Sequence, residues 1–134
     1  MLLLAVVFSF FYNLNGAPLF DYDEGAFSEA TREMFARGDF ISPYLNGNPF
    51  YHKPILTYWF QALGVLLLGV NELAFRLPSA IAATFWVVAI YVFVHERLDK
   101  QTGWVAAMMT TTALWIAIIG RAATMDALVN LFMA

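Results

Sequence analysis

The sequence contains no cysteine, which excludes a disulfide framework and any thiolate metal site. Charge is also scarce. Only 13% of the residues are Asp, Glu, Lys or Arg, against roughly a quarter in ordinary soluble domains. Lys and Arg are scattered along the chain, so the basic patch of a nucleic-acid-binding protein is missing and no nucleic-acid partner is expected. Asn-x-Ser/Thr sequons, internal repeats and low-complexity tracts are absent. The first apolar run has no basic region before it and no small-x-small cleavage site after it, so a cleaved signal peptide does not fit. What is present is apolar surface: 61% hydrophobic residues, a mean hydropathy of +0.66, and thirteen Phe, six Tyr and four Trp. This is the composition of a membrane protein, with aromatic side chains suited to the headgroup level.

Four apolar stretches stand out, at 1–14, 55–70, 77–94 and 103–119. They predict an all-α, polytopic membrane helical bundle. The first is shorter than the roughly 20 apolar residues a spanning helix needs, and "ALVNLFMA" stops inside an apolar run. Both ends read as cut, and the expectation is the N-terminal portion of a larger protein. Orientation comes from the positive-inside rule. The connector "HERLDKQ", 95–101, carries Arg97 and Lys100 and is expected in the cytoplasm. Residues 77–94 then enter the cytoplasm, 103–119 leave it, and "GRAATMD", 120–126, returns outside. The stretch 55–70 is short and contains Gln61, Gly64 and Gly69, so length alone leaves it open. If it does not span, residues 15–76 are outside and the carboxylates at 21–24 share a compartment with Asp126; if it spans, they end on opposite sides. The non-spanning reading is preferred. It predicts a truncated membrane helix at 1–14, an extracytoplasmic loop at 15–76, membrane helices at 77–94 and 103–119 joined by a cytoplasmic turn at 95–102, and a second extracytoplasmic loop with the start of the next helix at 120–134.

The polar segment 15–53 holds most of the candidate chemistry. Asp21 and Glu24 have capping-box spacing and predict a helix start, and Gly38 predicts its end. Between them Ala26, Phe27, Ala30, Met34 and Phe35 lean to one face, and Glu29, Arg32, Glu33 and Arg37 to another. That pattern fits an amphipathic helix lying on a membrane surface. "NGNP", 46–49, predicts a turn. Asp23 and Glu24 serve either as helix-start carboxylates complementing the dipole or as catalytic groups at the membrane face. Lys53, held non-helical by Pro54, suits either snorkelling to headgroups or binding a phosphate. Tyr51 and His52 stand beside it. Asp126 sits at the junction of two apolar runs, a functional candidate by default, with Arg121 near enough to pair. "HERLD" at 95–99 lacks the second His of a zinc-protease motif and reads as a turn.

The stretch "DYDEGAFSEATREMFARGDFISPYLNGNPFYHKPILTYW", followed in order by "FRLPSA" and "TMDALV", resembles the first extracytoplasmic loop of the bacterial lipid-carrier glycosyltransferases of the glycosyltransferase C superfamily. These include aminoarabinose transferases that modify lipid A and the dolichyl-phosphate-mannose protein mannosyltransferases. The resemblance covers nearly the whole chain. It implies juxtamembrane helices in the first loop, with 55–70 as one of them or as a shallow membrane element. It places the family's first-loop Asp on Asp23 with Glu24 as acidic companion, its phosphate-binding Lys on Lys53, and its second-loop Asp on Asp126. Tyr51, His52 and Arg121 complete the expected substrate-binding set. Two positions depart from the lipid A enzymes: His52 stands where several carry an acidic residue linked to metal binding, and Gly25-Ala26-Phe27 where they often carry a basic residue and Tyr. A divalent metal therefore stays open as a cofactor.

The implied reaction moves a sugar from a polyprenyl-phosphate donor to a lipid A-type or protein acceptor, in an inner (plasma) membrane enzyme whose site faces outward among membrane lipids. Lys53 would neutralise the leaving phosphate, Asp23 would orient or deprotonate the acceptor, and Glu24 and Asp126 would shape the site or hold a cation. Two other classes fit less well. A transporter would place its coupling carboxylates mid-membrane in broken helices, whereas these lie at segment ends. A non-catalytic subunit would use the acidic helix only for docking.

Overall fold

A computed structural model of the chain describes residues 1–19, 22–51 and 53–134. The structure is helical apart from one small hairpin. In chain order it comprises α1 (Leu2–Val6), a π-helical turn (Val7–Phe11), α2 (Asp23–Arg37), β1 (Tyr44–Leu45), β2 (Asn48–Pro49), α3 (Ile55–Leu68), α4 (Glu72–Arg97), α5 (Lys100–Thr112), α6 (Leu114–Arg121) and α7 (Asp126–Met133). The chain divides into two compact units. One holds 1–12, 79–122 and 126–134; the other holds 13–78 and 123–125.

In the second unit, α2 packs against α3 and against the hairpin. Helix α2 ends where expected, because Gly38 adopts the left-handed conformation (φ 68°) that a Cβ disfavours. Asp39 then accepts the backbone N–H groups of Ile41 and Ser42 at 2.9 and 3.1 Å, and these bonds hold its carboxyl below the usual aspartate range. The expected turn at 46–49 is the hairpin tip. Asn46 and Gly47 both take positive φ (52° and 79°), as a two-residue type I′ connection requires, and pair Tyr44 with Pro49 and Leu45 with Asn48. Gly47 N–H points at both Glu33 oxygens (3.3 and 3.4 Å), while Arg37 lies 3.4 Å from Glu33 and stacks over Tyr44 at 4.2 Å. The expected i,i+4 pair is thus present, and it also anchors the hairpin. The buried face of α2 carries Phe27, Ala30 and Met34 as expected, packed on Tyr58 with Phe50 and Ile55. It also buries Glu24, Ser28 and Thr31, so the helix is less cleanly amphipathic than its pattern suggests.

Helix α3 covers most of 55–70 and, at 14 residues, is shorter than the roughly 20 apolar residues of a typical spanning helix. It buries Tyr58, Gln61, Ala62, Gly64 and Val65 and exposes Leu63, Leu66 and Leu67. At Gly64 the helix meets the Ala74 carbonyl so closely that a Cβ would collide with it.

In the first unit the expected helices change their bounds. The helix expected at 77–94 runs from Glu72 to Arg97 with Pro78 inside it; it is the one helix among the described residues long and apolar enough to cross a membrane. Pro78 is the seventh residue of this helix, past its first turn, so it removes the N–H that would otherwise bond the Ala74 carbonyl. The continuous helix expected over 103–119 is two helices, α5 and α6, bent by 64° at Ala113. The cause lies in the Thr110-Thr111-Thr112 run. Each hydroxyl donates to the carbonyl four residues back, at 2.7–2.9 Å, a local bond that bends helices. The first helix is likewise only Leu2–Val6 plus the π turn, rather than an unbroken 1–14. The turn read in "HERLD" is confined to its end: Asp99 accepts the N–H groups of Gln101 and Thr102 and caps α5. Glycines let these pieces approach. Gly103 lies against Tyr91 and His95, and Gly120 against Phe10 and Ala83.

Because the atom opposing Gly64 is backbone, it has no side chain to swing aside. Gly64→Ala is expected to destabilise the purified protein by about 1–3 kcal/mol, read as a lower Tm in detergent; an unchanged Tm would mean the two helices tolerate separation.

Candidate functional site

Asp23 opens α2 and is exposed, next to Tyr22, whose side chain makes no cap bond. Asp21, the expected cap, lies outside the described residues, as does His52. Glu24 turns inward from the helix start. Its side chain is buried and forms a two-pronged pair with buried Arg76, Nε to Oε1 at 3.0 Å and Nη2 to Oε2 at 2.8 Å. Oε1 also accepts the Ala123 N–H at 2.6 Å. The rest of the guanidinium is spent on backbone: Nη1 donates to the Leu14 and Ala17 carbonyls (both 2.8 Å) and Nη2 to that of Pro18 (3.0 Å). A polar chain continues from Ala123, whose carbonyl accepts from Gln61 Nε2 at 3.1 Å. Gln61 Oε1 lies 2.7 Å from Thr31 Oγ1, which also stands 3.0 Å from the Phe27 carbonyl. Two turns of α2, one face of α3 and the 123–125 segment are therefore joined by buried, oriented hydrogen bonds.

Lys53 is exposed, and its Nζ stands 5.8 Å from the Phe27 ring centroid. Phe27 also meets Phe50 and Tyr58, at 6.1 and 6.3 Å. Asp23 lies one turn before Phe27, at i,i+4, and so on the same side of α2. The helix start thus carries an acid and, over the next turn, a base held near an aromatic face. Tyr51 is two-thirds exposed. On the wet face Glu29 pairs with Arg32, and that hydrogen bond holds the Glu29 carboxyl below its ordinary range.

In the other unit, Asp126 is the exposed first residue of α7. Arg121 does not take the expected pairing with it: its Nη2 donates to the Tyr12 carbonyl at 2.7 Å, and the ion pairs among the described residues are Glu29–Arg32, Glu33–Arg37 and Glu24–Arg76. The nearest carbonyl wins because the extended backbone at Ala122 ends α6 and carries the chain away. No group of three or more His, Asp or Glu that could hold a metal ion stands together among the described residues.

The sequence reading missed Arg76, Gln61 and Thr31. A signal existed for Arg76: it is an arginine just ahead of a long apolar run, where a charge needs a partner.

A profile described as dolichyl-phosphate-mannose-protein mannosyltransferase matches residues 52–134. The chain belongs to that family. Among curated relatives, an undecaprenyl phosphate-alpha-4-amino-4-deoxy-L-arabinose arabinosyl transferase of Aeromonas hydrophila is 31% identical over 133 residues, covering 97% of this chain. The similarly named protein of Yersinia enterocolitica is 31% identical over 135 residues, covering 98%. In both cases the chain spans 24% of the relative's length. Among solved structures, ArnT from Cupriavidus metallidurans bound to undecaprenyl phosphate superposes with a TM-score of 0.91 at 22% identity, over 98% of this chain and 24% of that one. The apo form gives 0.87. The family member described here therefore has the helical membrane fold of that structure.

Replacing Gln61 by Leu removes the side-chain donor to the buried Ala123 carbonyl, while the Thr31 hydroxyl keeps the Phe27 carbonyl as its acceptor. The expected cost is about 1–3 kcal/mol, whereas Glu29→Gln on the solvated face should leave the Tm nearly unmoved. Equal, small shifts for both would show that the buried chain contributes nothing beyond packing.

Proposed function

We propose that the full-length protein is an integral membrane glycosyltransferase that moves a sugar from a polyprenyl-phosphate donor to a lipid A-type or protein acceptor on the extracytoplasmic side. Family membership and the names of the relatives support the donor class. The observation that carries the reading is the start of α2, where Asp23 and, one turn on, the Lys53 ammonium over Phe27 share one side of the helix. Lys53 neutralises the phosphate as the anomeric C–O bond breaks and charge grows on the leaving oxygen. The acceptor oxygen attacks the anomeric carbon from the opposite side in a single, inverting displacement. Asp23 takes the hydroxyl proton or, for an acceptor that is already anionic, only orients it. Tyr51, His52 and Arg121 are proposed to contact substrate. Glu24 shapes the site from beneath, and Asp126 is proposed to contribute from the second loop. Relatives named for a pentose and a family described by mannose leave two sugar classes to test side by side.

The assay is transfer by the full-length protein in proteoliposomes, offered undecaprenyl phosphate-linked 4-amino-4-deoxy-L-arabinose or polyprenyl-phosphate mannose, with lipid A or a hydroxyl-bearing peptide as acceptor. Asp23→Asn is expected to lower turnover by about 10²–10⁴ at equal expression. Lys53→Ala should raise the donor KM and lower kcat, and Lys53→Arg should retain part of both, since charge persists without the compact ammonium. Full activity of Asp23→Asn would end the catalytic reading of this loop.

Sidedness has a separate test, to which these 134 residues contribute no native cysteine. With cysteines at Asn48, Gln101 and Thr124, an impermeant reagent applied to spheroplasts should label 48 and 124 but not 101. The reverse pattern at 101 and 124 contradicts the orientation.

A further inference from the structure

We propose that Arg76 is a positioning residue for sugar transfer, acting through Glu24 to fix the first turn of α2 and with it the Asp23 carboxylate. The inference rests on the reading of Asp23 given above. A guanidinium has five N–H donors. In Arg76 all five are committed: Nε and one Nη2 proton to Glu24, both Nη1 protons to Leu14 and Ala17, and the second Nη2 proton to Pro18. Nothing is left to grip a donor phosphate, so Arg76 is not a ligand. Its role must pass through what it holds.

What it holds is the start of α2. Tyr22, the residue before it, makes no side-chain cap bond. Glu24, in the first turn, is pinned by the two-pronged pair and by the Ala123 N–H. Asp23 is the neighbouring residue of the same turn and is itself exposed, so its placement follows the backbone that Glu24 anchors. Stability alone is a weak reason for such a pair, because buried ion pairs often contribute no more than apolar residues of the same size. Direction is the stronger reason. The planar fork permits one orientation of the carboxylate, which an apolar contact would not specify.

The test uses purified full-length Arg76→Lys, Glu24→Gln, Asp23→Asn and, as a surface control, Glu29→Gln, with whichever of the two lipid-phosphate sugars the wild type turns over. Kinetics are expressed per folded, monodisperse molecule. Arg76→Lys keeps the charge but loses the fork; Glu24→Gln keeps the shape but loses the charge. Both are expected to lower kcat about 10- to 100-fold while the donor KM stays within about twofold, with the pH profile of kcat unmoved and Glu29→Gln normal. A purely structural role would reduce the folded yield without changing kcat per folded molecule, and that result overturns the proposal. So does failure of both variants to give any folded protein, which makes the pair a folding element. Loss of one limb of the pH profile in Glu24→Gln also overturns it, because Glu24 would then be the titrating group. If Asp23→Asn is inactive while both pair variants turn over normally, only this proposal fails; if Asp23→Asn is fully active, the underlying reading fails first.

Discussion

A guanidinium taken out of water has to be paired, or it costs several kcal/mol. Arg76 is 6% exposed, and the unit that contains it is organised around satisfying that demand. Three carbonyls from 14–18 turn toward it, and Glu24 meets it with both oxygens. Because Glu24 belongs to the first turn of α2, the helix start is fixed by a residue fifty-two positions away. Because Glu24 also accepts the Ala123 N–H, the segment 123–125 is drawn to the same place, and Gln61 closes the connection from α3. One buried charge thereby orders four separate stretches of chain.

The acidic cluster at the start of α2 accordingly divides into different kinds of carboxylate. Glu24 is buried and engaged, Glu29 and Glu33 pair with arginines on the wet face, and Asp23 stands exposed at the helix entry. Hydration and pairing are ways a carboxylate avoids its desolvation cost, and neighbouring residues of this single helix adopt different ones. A saturated support beneath an accessible group is what the role proposed for Asp23 requires, since the group that moves a proton must not be the group that holds the backbone.

Small and hydroxylated residues set the remaining geometry. Gly64, Gly103 and Gly120 each stand where a side chain would meet a neighbouring helix. The three consecutive threonines of α5 bond back to their own helix and end in the bend at Ala113. Among lipid-facing helices, where burial supplies little drive for one helix to seek another, close approach and local hydrogen bonding decide which arrangement is stable.

The sequence alone was enough for whatever depends on local chemistry or on average solvent preference. Hydropathy determined a helical membrane protein, Gly38 the end of α2, Asn46-Gly47 the hairpin tip, and i,i+4 spacing the Glu33–Arg37 pair. The ordered run of motifs determined the family and pointed to Asp23 and Lys53. Tertiary structure decided the rest. A capping-box spacing cannot reveal that Glu24 turns inward, because its partner is distant in the chain and looks like any arginine beside an apolar run. Apolar composition over 103–119 cannot reveal a break, because Thr and Ala read as ordinary helix interior until the hydroxyls bond to their own carbonyls. Arg121 and Asp126, five residues apart, suggested a pair that the extended backbone at Ala122 does not form. In each case the outcome was set by where a hydrogen-bond donor found its nearest acceptor in space, and that is a property of the folded chain rather than of any stretch of it.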